Sequence, residues 1–404
     1  MKPRNIVFKA LQKVENDGYS TIILNSLLKE YNGDNSGFIT ALYYGVIERK
    51  ITLDYIIDKF LDKSINTLNI EILTALRMGL YEAIFMKSPL YAVTNEYVSL
   101  IKATKFNKLS GLVNAVLRNA GSYDLKYLGN KSDEIKFSVN SGVLNTVYNC
   151  IGDEKGKAFF ENSLNPAPTY VRLNTFKSND YTNDNFIPTA LENVYLLENF
   201  NANDPMHLSG HYYVQDISAS NSVVLANPKE NERILDLCSA PGGKSFTAYL
   251  LSNGKADITC CDIYEKRLNL VKNNAKRLGF NIKTQVNDAT VFNPNLGTYD
   301  LVICDVPCTG FGVIRRKPEI KYKDQSEIDT ITELQCKIVD NAVKYVKNGG
   351  RMLYSTCTLN KKENGDIVKY ILDKNDDFYL DFEKTMLPFE MNGDGFYAAI
   401  IKRR

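Results

Sequence analysis

The sequence predicts an α/β protein, with an open, mainly parallel sheet toward the carboxyl terminus, an all-helical amino-terminal part, and a small mixed α/β region between them. Three observations carry this. Apolar residues before about residue 125 recur at helical spacing. After residue 230, short Val/Ile/Leu runs alternate with longer amphipathic stretches. A polar segment ending in Pro166 and Pro168 lies between. The 404 residues exceed what one core usually holds. We divide them into a helical domain (1–125), a linker with a small mixed subdomain (126–230) and the α/β domain (231–404).

In ITLDYIIDKFLD, residues Leu53, Ile56, Ile57, Phe60 and Leu61 fall on one helical face. Asp34, Asn35 and Ser36 are candidate caps for a helix beginning near Gly37. Ile70 to Phe85 is apolar enough to form a buried central helix, and Pro3 and Pro89 lie outside helix interiors. Lys102, Lys105, Lys108 and Arg118 read as a solvated helix face. The chain from roughly Gly121 to Pro168 reads as a polar segment ending at a boundary marked by Pro166 and Pro168. YVRLNTF and HYYVQD alternate like strands. Further strands are expected at ERILDLCS, ADITCCDI, KTQVNDA, YDLVICDVP, RMLYSTCT and GFYAAIIK. Helices are expected at KSFTAYLL, EKRLNLVKNNAKRLG and EIDTITELQCKIVDNAVKYVK.

The net charge of +2 excludes a global basic field, so any nucleic-acid contact must be local. Eight cysteines without a CxxC pair, and only two histidines, give no zinc site, and no metal is expected. Most of the cysteines sit in the later apolar runs, as free thiols of a reducing cytoplasm do. No apolar stretch is long enough for a membrane span, and we expect a cytoplasmic monomer without membrane partners.

LDLCSAPGGKS occupies the turn between the first strand and first helix of the α/β domain. Gly242 and Gly243 suit close approach of a ligand to the backbone, and the helix amides suit a carboxylate. Asp262 ends the second strand, where an acidic residue accepts ribose hydroxyls. Asp288 ends the third, where it faces an adenine amino group or serves as a turn aspartate. Together these features indicate a nucleoside-bearing cofactor, held by Cys238, Ser239, Ala240, Pro241, Gly242, Gly243, Lys244, Asp262, Asp288 and Asp305.

The fourth and fifth strands each end in a cysteine loop, at Cys308 and Cys357. Cys238, Cys260, Cys261, Cys304 and Cys336 read as packing residues. The chemistry alone accepts either loop cysteine as a nucleophile. Lys244, Arg315, Arg316 and Lys317 are the nearby cations that would lower a thiol pKa or hold phosphates.

CSAPGGK, DVPCTGFGVIRRKPEIK and YSTCTLNKKEN, in this order, resemble the signature motifs of the RNA cytosine-5 methyltransferase family over roughly residues 165–404. RNIVFKALQKV and LVNAVLRNA look like the ends of the NusB fold, a fusion typical of that family's RsmB branch. The resemblance implies a class I methyltransferase domain, Rossmann-like with a mainly parallel seven-stranded sheet, behind an all-α NusB-like domain. It implies S-adenosyl-L-methionine as cofactor. It makes Cys357 the nucleophile toward carbon 6 of a cytosine, which activates carbon 5, and gives Cys308 the product-release role. Asp305 would support N3 of the ring and Lys244 would assist. RNA contacts are expected at Arg172, Arg315, Arg316 and Lys317, with 16S ribosomal RNA as partner. The alternatives are a methyltransferase for transfer RNA or 23S ribosomal RNA, and a non-catalytic NusB-like RNA-binding factor. Ser239 and Tyr322 depart from residues frequent in the family, alanine and tryptophan.

Overall fold

The structure is a computed structural model that describes residues 2–15, 20–29, 31, 33–177, 185–324 and 326–404. The chain forms two compact units. The first comprises residues 1–144 with 316–323, and the second comprises residues 145–315 with 324–404.

Regular structure in the first unit is helical. Ile70–Leu80 buries almost all its residues and runs on into a π turn, Tyr81–Phe85, so the expected central helix is present. Its Arg77 is buried but not unpaired. Nε and Nη2 hold the two oxygens of Asp54 at 2.6 and 2.7 Å, and Nη1 holds Glu15 at 2.7 Å. The helix expected near Gly37 begins at Ser36, and Asn35 before it makes no side-chain cap bond. Lys102, Lys105, Lys108 and Arg118 are exposed.

Two parts of the sequence reading need correction. The polar segment after Gly121 contains helices at Asp133–Phe137, Ser141–Ile151 and Asp153–Asn162. Asn140 Oδ1 accepts the amide of Val143 at 2.8 Å, which starts the second of these. The basic run after Cys308, expected to contact phosphates, also turns one of its cations inward. Lys321 is fully buried with Nζ 3.3 Å from the Phe137 carbonyl, and burial lowers its pKa to about 8. The Tyr322 hydroxyl donates to the Ile47 carbonyl at 2.7 Å and accepts the Lys50 amide at 3.2 Å. This hydroxyl gives the tyrosine a reason to stand there, since it closes the junction between two helices.

The second unit holds two sheets. Strands β1 (Tyr170–Leu173), β2 (Phe186–Pro188), β3 (Val194–Leu197) and β4 (Tyr212–Val214) form an antiparallel sheet in the order β2-β3-β1-β4. The larger sheet contains β5 (Arg233–Asp236), β6 (Asp257–Asp262), β7 (Lys283–Val286), β8 (Tyr299–Asp305), β9 (Val346–Thr356), β10 (Phe378–Met386) and β11 (Phe396–Arg403). Its order is β10-β11-β9-β8-β5-β6-β7, parallel from β9 to β7 and antiparallel at the β10–β11 edge. This is the seven-stranded, mainly parallel sheet that the sequence predicts.

Helices cover both faces. Along β8, Val302 and Cys304 face one core with Ile338, Val339 and Ile367, while Leu301 and Ile303 face the other with Val223, Phe246 and Val271. Burial on both sides explains the unbroken apolar runs. Each such fully buried Leu or Ile contributes about 1.5–3 kcal/mol. From β5 the chain goes to β6 and β7 on one side and to β8 and β9 on the other. That makes β5/β8 the switch point, and ligands of open α/β sheets bind beyond the strand ends there.

Candidate active site

The carboxyl ends of β5 and β8 place Asp236 and Asp305 at the switch point. The loop after β5 is tied to β6: the Ser239 amide and hydroxyl both donate to the Cys261 carbonyl, at 2.8 and 2.9 Å. The Gly242 amide closes a turn onto the Ser239 carbonyl at 2.7 Å. Gly242 has φ +112°, and a Cβ there would meet the Phe246 ring at 2.3 Å. Gly243 has no such strain, its Cβ position lying 3.4 Å from Gln215. The two glycines therefore differ from each other. The first is required by backbone conformation and packing, not by a ligand's approach.

A cavity of about 200 Å³ opens above this loop. Of the residues expected at a cofactor, Cys238, Ser239, Ala240, Pro241, Gly243, Lys244 and Asp305 line it. Gly242, Asp262 and Asp288 do not. Asp288 Oδ1 accepts the Thr290 amide at 2.9 Å and hydroxyl at 2.7 Å, the turn role weighed for it. Asp262 is buried at the end of β6, with Oδ1 on the Tyr264 amide at 3.1 Å. Sequence reasoning missed Gln215 and Asp236 as cavity residues. Among the described residues, the buried atoms without a hydrogen-bond partner include Gln215 Nε2, Asp236 Oδ1, Asp262 Oδ2 and Asn287 Nδ2, at or near these strand ends. Asp262 Oδ2 has the Arg267 guanidinium 3.2 Å away but receives no aligned bond from it. Each orphan costs about 1–3 kcal/mol unless a ligand satisfies it. Donors and acceptors left open together fit a polar, nucleoside-bearing cofactor.

Burial raises the Asp236 pKa to about 7, opposed by the Ser245 hydroxyl 2.6 Å from Oδ2 and reinforced by Asp305. A carboxyl raised in the fold stabilises it fully below the ordinary carboxyl pKa, and that contribution is lost as pH rises through the folded value. Between pH 5 and 8 the parent should thus lose about 2–3 kcal/mol that Asp236→Asn keeps. Urea midpoints of both proteins across that range check this.

Lys244 Nζ contacts Asp305 Oδ2 at 2.6 Å and lies 5.0 Å from the Phe396 ring centroid. Burial disfavours its ammonium, yet Asp305, Asp236 and Cys357 together raise its pKa. Ser355 donates to Asp305 Oδ1 at 2.9 Å and fixes the carboxylate.

The two expected loop cysteines meet. Cys308 Sγ and Cys357 Sγ are 3.2 Å apart, both free and half-buried. The hydrogen bond with Cys357 and then burial hold the Cys308 thiol well above its usual range. Thiols this close do not ionise together, and their titration belongs to the pair. Burial likewise raises the pKa of Cys238, Cys260, Cys261 and Cys304, which fits packing cysteines.

The residues expected at RNA stand apart. Arg172 is buried, with Nε and Nη2 on the Ser220 hydroxyl at 3.0 and 2.7 Å, so its guanidinium is turned inward. Arg315 is half-buried and donates to the Asn162 side chain and the Asn165 and Pro166 carbonyls at 2.9, 3.3 and 2.6 Å. Arg316 and Lys317 belong to the first unit, where Arg316 is half-buried and Lys317 exposed. Among the described residues no group of His, Cys, Asp and Glu forms a metal site, and no helix is long and apolar enough to cross a membrane.

Residues 223–402 match the family model for 16S rRNA methyltransferase RsmB/F, and residues 1–122 match that of the NusB family. The chain is 29% identical to the probable ribosomal RNA small subunit methyltransferase B of Bacillus subtilis (strain 168), covering 99% of this chain and 98% of that one. It is equally identical to ribosomal RNA small subunit methyltransferase B of Proteus mirabilis (strain HI4320), with the same coverage. Among solved structures, that of PH0851 superposes with a TM-score of 0.79 at 21% identity, covering 100% of this chain and 99% of that chain. NSun6 from Pyrococcus horikoshii, solved with SFG, gives 0.56 at 19% identity over 65% of this chain and 98% of its own.

Proposed function

The chain belongs to the RsmB/F methyltransferase family, with a NusB domain ahead of its methyltransferase domain, and on that premise we propose that it methylates carbon 5 of a cytosine in 16S ribosomal RNA. The observation that carries the reading is the pair of thiols 3.2 Å apart beside the Lys244–Asp305 ion pair, at the edge of the switch-point cavity.

We assign S-adenosyl-L-methionine to the cavity, held by Cys238, Ser239, Ala240, Pro241, Gly243, Lys244 and Asp305, with Gln215 and Asp236 as further polar partners and the unpartnered Asp262 Oδ2 at the neighbouring strand end for the ribose. When bound, it supplies an electrophilic sulfonium methyl group. Cys357, as thiolate, adds to carbon 6 of the ring, and the electron pair of the 5,6 double bond becomes available at carbon 5. Asp305, steadied by Lys244 and Ser355, accepts a hydrogen bond from N3–H once N3 takes a proton from solvent as that charge develops. After the methyl is in place, carbon 5 loses its proton to a base, the double bond re-forms, and the Cys357 thiolate leaves. Cys308, against the departing sulfur, serves this release. Lys317, exposed after the Cys308 loop, offers a phosphate contact. We place the protein in the cytoplasm, acting as a monomer on ribosomal RNA.

Calorimetry with S-adenosyl-L-methionine, followed by transfer of labelled methyl to small-subunit RNA, tests this. Stoichiometric binding and label recovered as 5-methylcytidine are expected. Binding without transfer to any RNA would favour a non-catalytic RNA-binding protein, and transfer to transfer RNA or 23S RNA alone would move the substrate.

A further inference from the structure

A buried network that the chemistry above does not use lies between the two cysteine loops. Glu363 has no exposed surface. Its carboxylate accepts the Thr309 amide at 2.9 Å, the Thr309 hydroxyl at 2.6 Å, Asn360 Nδ2 at 2.9 Å and Gln335 Nε2 at 3.0 Å. Among the described residues no cation pairs with it. A buried carboxylate without a counter-ion is costly, and here four donors offset the cost.

These donors sit around Cys308. Gln335 Nε2 also donates to the Pro307 carbonyl at 2.9 Å. Gln335 and Glu363 thus hold the residues on either side of Cys308. The other cysteine is tied in as well. The Thr309 hydroxyl lies 2.7 Å from that of Thr358, the residue after Cys357, and Thr358 Oγ1 accepts the Phe311 amide at 3.2 Å. Since Thr309 donates to Glu363, Thr358 donates to Thr309, and every hydroxyl in the chain is used once in each sense.

We propose that Glu363 is a positioning residue that holds Cys308 against Cys357 and so sets the rate of the release step. This rests on the role given to Cys308 above. Glu363 touches neither substrate nor sulfur. It acts by fixing the loop on which one sulfur rides, and a displacement of about 1 Å in such a group costs up to about 100-fold in rate.

Glu363→Gln keeps the shape but turns an amide toward the donors of Thr309 or Gln335. It should lower kcat about 10- to 100-fold, leave KM for RNA within about twofold, and accumulate a covalent protein–RNA adduct, seen as a shifted band on a denaturing gel. A purely architectural role would lower stability and produce no adduct. Turnover at the parent rate without an adduct overturns the proposal. If Glu363→Gln shows no cooperative thermal transition, Gln335→Leu takes its place. That variant removes the donor to Pro307 and Glu363, and absence of the adduct there overturns the proposal too. Cys308→Ala runs beside both. If it gives no adduct, the release role of Cys308 has failed and the proposal fails with it, whereas an adduct in Cys308→Ala but not in Glu363→Gln overturns the proposal alone.

Discussion

Cys357→Ala should abolish methyl transfer, with turnover down roughly 10⁴-fold or more. The loss is this large because alanine removes the step that makes carbon 5 reactive, and no neighbouring group replaces it. Cys308 is near enough in space, but burial pushes its thiol up, away from the thiolate. Burial would still disfavour its thiolate after the partner is gone. The cavity lining does not include Cys357. Affinity for S-adenosyl-L-methionine, measured by calorimetry, should therefore stay within about twofold of the parent. Full activity in Cys357→Ala would transfer the nucleophile's role to Cys308.

Cys308→Ala should give the opposite signature. Methyl transfer proceeds once, and the protein then remains attached to its RNA. The physical cause is the 3.2 Å contact between sulfurs. In the proposed mechanism the adduct would collapse only as Cys357 leaves and carbon 5 loses its proton, with Cys308 beside the breaking bond. Without it, single-turnover methylation is retained while steady-state turnover falls by roughly 10²-fold or more. Denaturing gels with labelled RNA separate the two steps. Loss of activity with no adduct would show that Cys308 acts before the methyl moves.

Much of this arrangement is legible in the sequence for a definite reason. Strands covered on both faces must be apolar throughout, so β5, β6, β8 and β9 announce themselves, and the loops at their ends carry the chemistry. β10 does not. It is an edge strand whose middle is largely exposed, as in Asp381, Glu383 and Lys384, and its pairing with β11 has no local signature. The helices between residues 133 and 162 escape for a related cause. The first and third are short or highly charged, and of the three only the second has a side-chain cap, Asn140.

The site shows the same division. Cys308, Cys357, Lys244 and Asp305 stand in recognisable loops, and the fold brings them together. Glu363 sits among lysines and asparagines in NKKEN, within the second cysteine motif but with no role that its own sequence suggests. Only pairing with Thr309, distant in sequence, turns it inward. Arg172 and Lys321 fail in the opposite sense. Their charge suggests RNA or solvent, and tertiary packing buries both. Charge in a sequence says little about direction until the surrounding strands and helices are known.

The account is tested most directly by bisulfite sequencing of ribosomal and transfer RNA from cells with and without the gene. It predicts that a methylcytosine of 16S RNA disappears in its absence, returns with the parent protein, and does not return with Cys357→Ala. An unchanged 16S pattern, or restoration by Cys357→Ala, would contradict it.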